Sequence, residues 1–225
     1  MNPKPILIEV VSDAICPWCF VGKRRLERAL ASRPELAAKV EWRPFMLNPD
    51  MPPGGMDRAT YMRLKFGGTE RAQGVYQPIV DAGKQEGIAF AFDRIARTPA
   101  TIDAHRLIRW ARNGGLQDAV VEALFRRYFL EGEDIGRGEV LVAVAEAAGM
   151  DAALVGELLA KDADVELIRA EDRAARAVGI SGVPCFVIDQ RYAVPGAQDP
   201  EIIAQVLDLA AREARGEGES AAAPP

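Results

Sequence analysis

DAICPWCFVGKRRLERAL, residues 13–30, sets two cysteines three positions apart where a strand gives way to a helix. With a helix running from Pro17 to Ala31 and stopping near Pro34, Cys16 falls at the N-cap, Pro17 at N1 and Cys19 at N3. Proline is harmless at N1 because that N–H has no helical partner. An N-cap side chain faces the N2 and N3 amides and the positive end of the helix dipole, a setting that favours a thiolate. Residues three apart on a helix are surface neighbours, close enough for a disulfide. The pattern therefore predicts that Cys16 attacks a substrate disulfide and that Cys19, one turn in, resolves the mixed disulfide. Between them Pro17 fixes the turn, and Trp18 is placed to shield the sulfur or to offer a flat contact.

A metal site is the competing reading. Cys16, Cys19, Cys185 and His105, the one histidine, make four soft candidates, the number a tetrahedral zinc takes. A zinc knuckle has no need of proline and tryptophan inside a strand-to-helix junction, so no metal is expected. Three cysteines in 225 residues, two of them at C-x-x-C spacing, also argue against a structural disulfide framework.

Working outward, PILIEVV (5–11) and KVEWRPFML (39–47) read as strands flanking the helix, a β-α-β unit. NPDMPPGGMD (48–57) is a break, and helical periodicity follows for most of the next hundred residues. Within it TPATIDAHRLIRWARNGG predicts a helix with Thr98 as N-cap, Pro99 at N1 and Gly114 as stop. Strand character returns at VPCFVID (183–189) and RYAVPGA (191–197), and a last helix begins near Asp199-Pro200. Pro184 opens its strand, where a missing N–H is tolerated, and the Val183–Pro184 bond is a candidate cis peptide. These elements predict an α/β thioredoxin fold, a mixed central sheet flanked by helices with a large all-helical insertion. Residues 1–50 plus 170–215 form the thioredoxin-like part, 51–169 the insertion and 216–225 a disordered tail.

CPWC after the first strand, the helical insertion and GVPCFVID together resemble the DsbA-like branch of the thioredoxin superfamily. SDAICPWCFVGKRRLE, WRPFMLNPDMP, DAHRLI and GVPCFVIDQRYAVPGAQ resemble its FrnE-type group in particular. The resemblance implies thiol–disulfide oxidoreductase or isomerase activity, with Cys16 as nucleophile, Cys19 as resolving thiol and Val183–Pro184 as the cis-proline edge where an extended substrate pairs with the Val183 backbone. Two departures stand out. Many thioredoxin relatives carry a buried carboxylate six residues ahead of the first cysteine, where this chain has Val10, so the proton of Cys19 needs water or another group. Asp13 and Glu9 are candidates, but read more simply as a turn cap and a solvent-facing strand residue. Cys185 lies outside the motif and reads as a small buried hydrophobe. His105, at helical spacing from Arg106 and Arg109, is a candidate cleft residue. Lys23, Arg24, Arg25 and Arg28 read as a solvated face.

The net charge of −5 and the scattered basic residues give no general attraction to nucleic acid or anionic lipid, and no apolar run approaches the roughly 18 residues of a membrane span. The N-terminal apolar run lacks a basic flank and cleavage site, which places the protein in the cytoplasm. Expected partners are thiol- or disulfide-containing proteins and low-molecular-weight thiols such as glutathione, the latter as co-substrate, with no bound cofactor. A homodimer is a candidate assembly, and the insertion reads equally as its interface or as a lid. The alternative is a glutathione-dependent isomerase or transferase of the 2-hydroxychromene-2-carboxylate isomerase or kappa-class type, whose architecture is similar. There the position of Cys16 is typically a serine that orients the glutathione sulfur.

Overall fold

The computed structural model describes residues 5–67 and 69–215; the tail expected at 216–225 lies outside them. Strand β1 (Ile6–Ser12) leads into α1 (Pro17–Ala31) and β2 (Ala38–Pro44). β1 and β2 are parallel, with Val10 opposite Trp42. Near the other end of the chain β5 (Cys185–Ile188) and β6 (Tyr192–Pro195) form an antiparallel hairpin, and β5 lies antiparallel to β1 with Val11 opposite Cys185. The sheet order is therefore β2-β1-β5-β6.

Alternation along β1 decides what covers each face. Ile8 and Val10 share a core with Phe186, Ile188 and Val194, under α1 and under Ile203 and Leu207 of α9 (Pro200–Ala214). Val11, Cys185 and Phe45 form a smaller cluster on the opposite face, packed by Ala175 and Ile180. Ala175 belongs to α8 (Val165–Ala177), whose buried Asp172 accepts the Met46 N–H at 2.8 Å while Arg176 stacks over Phe45. That clamp fixes the chain as it leaves β2.

Between β2 and α8 run α2 (Arg58–Phe66), α3 (Thr69–Gln85), α4 (Ile102–Trp110), α5 (Gln117–Arg126), α6 (Gly138–Ala147) and α7 (Ala152–Leu159). α5 passes directly into a π-helical turn, Arg127–Glu131. Phe125 and Phe129 from this stretch pack against Phe20 of α1, ring centroids 5.1 and 6.3 Å from it and 6.1 Å from each other, and Phe90 meets Phe20 edge-on. Aromatic pairs of this kind add about 0.5–1.5 kcal/mol each beyond their buried area. They hold α1, and hence the cysteine pair, against the helices.

Two expectations need correction. The segment between β2 and β5 is not all helical: β3 (Met56–Asp57) pairs antiparallel with β4 (Arg97–Thr98). That pairing also takes Thr98 out of the next helix, which starts at Ile102 with Thr101 as its N-cap residue, leaving Pro99 in the connection. A two-residue bridge to a strand some forty residues earlier has no local signature that would compete with a Thr-Pro helix start.

Candidate functional site

Cys16 is the N-cap residue of α1, its backbone extended (φ −92°, ψ 111°), with Pro17 following at the helix start. Its N–H bonds to the Asp13 carbonyl at 3.0 Å, and its carbonyl accepts from the Cys19 N–H at 3.0 Å. The sulfur does not cap the helix amides as the sequence pattern predicts. It points across the gap to the Val183 carbonyl, Sγ–O 3.5 Å, beside a cis Val183–Pro184 peptide. Cys16 and Val183 are thus 167 residues apart in the chain and in contact at one point. Both cysteines are free thiols.

Neither sulfur is laid open. Cys16 is 5% exposed and Cys19 1%, while Pro17 and Trp18 keep partial exposure above them. Burial first, and then the hydrogen bond and charge of the adjacent Cys16, push the Cys19 thiol well above its ordinary range. Asp13 acts on Cys19 twice: a backbone hydrogen bond lowers that value, and the carboxylate charge raises it. The two thiols are therefore unlike, a slightly accessible one at the helix end and a fully enclosed one a turn below.

Gly22 explains how closely the proline edge can sit. A Cβ at Gly22 would lie 2.9 Å from Pro184 Cγ and 3.2 Å from Phe186 Cζ, so only glycine lets α1 and the Pro184 loop meet without displacement. Trp18, Val183 and Leu47 pack on the main core around this junction. A groove of about 450 Å³ opens from Leu47 along Asn48, Met51, Met56, Tyr61 and Leu64.

Asp13 is not the simple turn cap expected. It is fully buried, its Oδ2 accepts the Leu47 N–H at 2.7 Å and its Oδ1 lies 3.5 Å from the Ile15 N. His105 is buried, 2% exposed, with Nε2 3.4 Å from Asp13 Oδ1. Glu9 is partly shielded and pairs with Arg43. Cys185 faces the opposite side of the sheet from Phe186 and Pro184, away from α1, so it is not part of the thiol junction. Burial raises its thiol above the ordinary value. Among the described residues no three His, Cys, Asp or Glu side chains gather as metal ligands, and no helix is long and apolar enough to cross a membrane.

The basic face of α1 also departs from expectation. Lys23 is 3% exposed and pairs with Glu27 of its own helix and with Asp118 and Glu122 of α5. Arg24 bonds to Glu27 and Glu122, while Arg25 and Arg28 share the buried Glu86, and Arg25 also donates to the Ala197 carbonyl. Only Arg28 is largely exposed. These cations staple α1 to the helices on one side and to the entry of α9 on the other.

A C-x-x-C at the head of the helix after the first strand, beside a cis-proline that precedes a strand of a four-stranded mixed sheet, defines a thioredoxin-type fold. The chain belongs to the DSBA-like thioredoxin domain family, whose model matches residues 7–208. It is 34% identical to a Streptomyces coelicolor protein described as a probable DsbA oxidoreductase, with TM-score 0.83 over 98% of this chain and 93% of that one. The uncharacterized protein YwbO of Bacillus subtilis (strain 168) is 27% identical over 201 residues, 89% of this chain and 94% of its own. The fold also matches the cytosolic disulfide reductase DsbM of Pseudomonas aeruginosa, solved with GSH, at 19% identity and TM-score 0.61 over 92% and 99% of the two chains.

Proposed function

We propose that this chain is a thiol–disulfide oxidoreductase or isomerase of the FrnE type that works through Cys16 and Cys19. The observation that carries the reading is the meeting of Cys16 Sγ with the Val183 carbonyl at the Pro184 edge, with the enclosed Cys19 one turn below. Cys16 is the more accessible sulfur, so it attacks the substrate disulfide and Cys19 closes the pair. An extended substrate lies along the Val183 backbone, and the half-exposed Trp18 flanks it. In this reading residues 1–50 plus 170–215 are the thioredoxin-like part and 51–169 the insertion that walls the site.

Partners are protein disulfides or low-molecular-weight thiols; the GSH in the structure of the DsbM fold neighbour supports glutathione as a co-substrate. In a reducing cytoplasm such a pair serves as reductase or isomerase rather than net oxidant. A glutathione-orienting isomerase or transferase would need one hydroxyl or thiol here, whereas the head of this helix carries two free thiols three positions apart.

Labelling with iodoacetamide before and after dithiothreitol, followed by titration against glutathione buffers, tests the reading. One reversible Cys16–Cys19 disulfide per chain is expected. A pair that stays reduced against glutathione disulfide and small disulfide reagents would overturn it and favour the glutathione-orienting alternative.

A further inference from the structure

The Val183 segment that faces Cys16 and the segment by which the chain leaves β2 are both held from one helix. α8 ends at Ala177, and six residues later the chain reaches Val183 and its cis bond to Pro184. Between them the Gly179 N–H bonds back to the Arg176 carbonyl at 3.0 Å and the Ile180 N–H to the Ala175 carbonyl at 3.1 Å. Val178, Ser181 and Gly182 stand exposed. The last two turns of α8 therefore decide where this segment starts.

β2 is an edge strand, and just beyond it the Phe45 N–H still bonds to the sheet through the Ser12 carbonyl, 3.0 Å. Met46 is then held by side chains. Its N–H donates to Asp172 Oδ1 at 2.8 Å, and its carbonyl accepts from Arg176 Nη2 at 2.6 Å. Arg176 Nε and Nη2 also donate to Asp172 Oδ2 and Oδ1, at 2.9 and 3.1 Å, and the guanidinium lies 4.0 Å from the centre of the Phe45 ring. Leu47 follows at once, where it opens the groove and packs with Val183 on the cluster of Val11, Phe45 and Cys185. Asp172 is only 3% exposed, and a buried ion pair is a poor source of stability, since an apolar pair of similar volume often does as well or better. An apolar pair could not grip one residue by both its N–H and its carbonyl. Position, rather than stability, is what this pair supplies.

We propose that Arg176, with Asp172, is a positioning pair that locks the exit of β2 to the Val183 segment, and that this fixed spacing favours extended polypeptide disulfides as substrates. The proposal deepens the exchange reading above and rests on it. A small disulfide presents its sulfur to Cys16 and little else. A polypeptide lies along the Val183 backbone and reaches the chain at Leu47 as well, so it gains from both segments only while their spacing is kept. Those contacts are the same before and during sulfur exchange. Their loss therefore weakens substrate binding and leaves the rate of the bound complex in place.

Two probes that release the same coloured thiolate separate the effects in stopped flow: 5,5′-dithiobis(2-nitrobenzoate), and the mixed disulfide of thionitrobenzoate with an unstructured cysteine-containing peptide. The wild-type rate should saturate with the peptide probe. Arg176→Gln should raise the half-saturating peptide concentration about tenfold, with the limiting rate and the rate with the small probe each within about twofold of wild type. Arg176→Lys keeps a charge beside Asp172 but not the fork that spans Asp172 and the Met46 carbonyl, so it should shift the same quantity in the same direction by less. It carries the test alone if Arg176→Gln loses its folded circular-dichroism spectrum. A folded variant that slows equally with both probes, or with neither, overturns the proposal while the exchange reading stands. So does a wild type that fails to saturate with the peptide, or a pair of variants neither of which folds. A wild type that forms no Cys16–Cys19 disulfide with either probe overturns both.

Discussion

The tightest test of how the site is built is a single methyl group at Gly22. In the middle of α1 a glycine-to-alanine change ordinarily gains about 0.5–1 kcal/mol from reduced backbone freedom. Here the new Cβ would start 2.9 Å from the Pro184 ring and 3.2 Å from Phe186. Carbon atoms rest at about 3.5–4.0 Å, so the Pro184 loop or α1 must yield by roughly 0.6–1 Å. Neither neighbour is a floppy side-chain end: one is a proline ring and the other a fully buried phenylalanine. Overpacking of this kind costs about 1–3 kcal/mol, which leaves a net effect between about zero and a loss of about 2.5 kcal/mol once the helix gain is counted.

The larger effect falls on activity. A retreat of that size carries the Val183 carbonyl beyond its 3.5 Å contact with Cys16 Sγ and displaces the edge on which a substrate would lie. A 1 Å misplacement in a reacting geometry costs about a hundredfold, so Gly22→Ala is expected to lower kcat/KM for a small disulfide roughly tenfold. Gly156, inside α7, is the control, because a Cβ there meets only Val142 at an ordinary 3.7 Å. Gly156→Ala should gain stability by about 0.5–1 kcal/mol and leave kinetics alone. Urea denaturation beside disulfide-reduction kinetics measures both variants. If Gly22→Ala behaves like Gly156→Ala, more stable and fully active, the close approach of α1 to the proline edge does not govern the site.

Arg106 is buried and donates to the Leu158 carbonyl in the last turn of α7, to the Lys161 and Ala163 carbonyls after it, and to Asp103. Arg106→Met strands those carbonyls and should cost about 3–5 kcal/mol in denaturant titration, with little change in the reactivity of the cysteines. Cys185→Ala should leave the number of reversibly oxidised thiols unchanged in mass spectrometry, since its sulfur lies on the far face of the sheet. The folded state holds the Cys19 proton to a higher pH than the unfolded chain does, so the stability this contributes is complete below about pH 9 and declines as pH rises through the folded value. The reduced protein should therefore lose up to about 1.4 kcal/mol per pH unit from this one group above that point, and Cys19→Ala should flatten the alkaline limb of a Tm–pH curve.

What could be read from the chain alone was whatever is written locally. Pro17 after Cys16 can be only a first-turn residue, and the apolar run behind Pro184 can be only a strand start, so the helix head and the strand edge were legible from a few residues each. The charged face of α1 was not. KRRLER alternates like a solvated surface, and its distant anions, Asp118 and Glu122 of α5 and Glu86 just after α3, lie 58 to 98 positions away. Asp13 failed for the same reason, because a turn cap explains an Asp before a helix and its further partners, Leu47 and His105, are supplied by other elements. A signal was present nonetheless. Asp13 continues a strand end in which Val11, Ser12, Ala14 and Ile15 are all buried, and a carboxylate in an enclosed stretch needs a donor from elsewhere.

These long-range partners bear on what the helices between β2 and β5 do for the cysteine pair. Phe20 is enclosed by Phe90, Phe125 and Phe129, Lys23 is neutralised by Asp118 and Glu122, Arg25 is held by Glu86, and Asp13 is met by His105. Three of these four contacts fall within two turns of Cys19, and the fourth lies just ahead of the pair. Without that wall, α1 would expose an aromatic face to water and leave Lys23, otherwise almost wholly enclosed, to find new solvation. The direction in which Cys16 points is thus set by both halves of the architecture: the sheet and Pro184 on one side, the helices on the other. The strands supply the proline edge, and the helices supply the anions that meet α1 and the imidazole that meets Asp13.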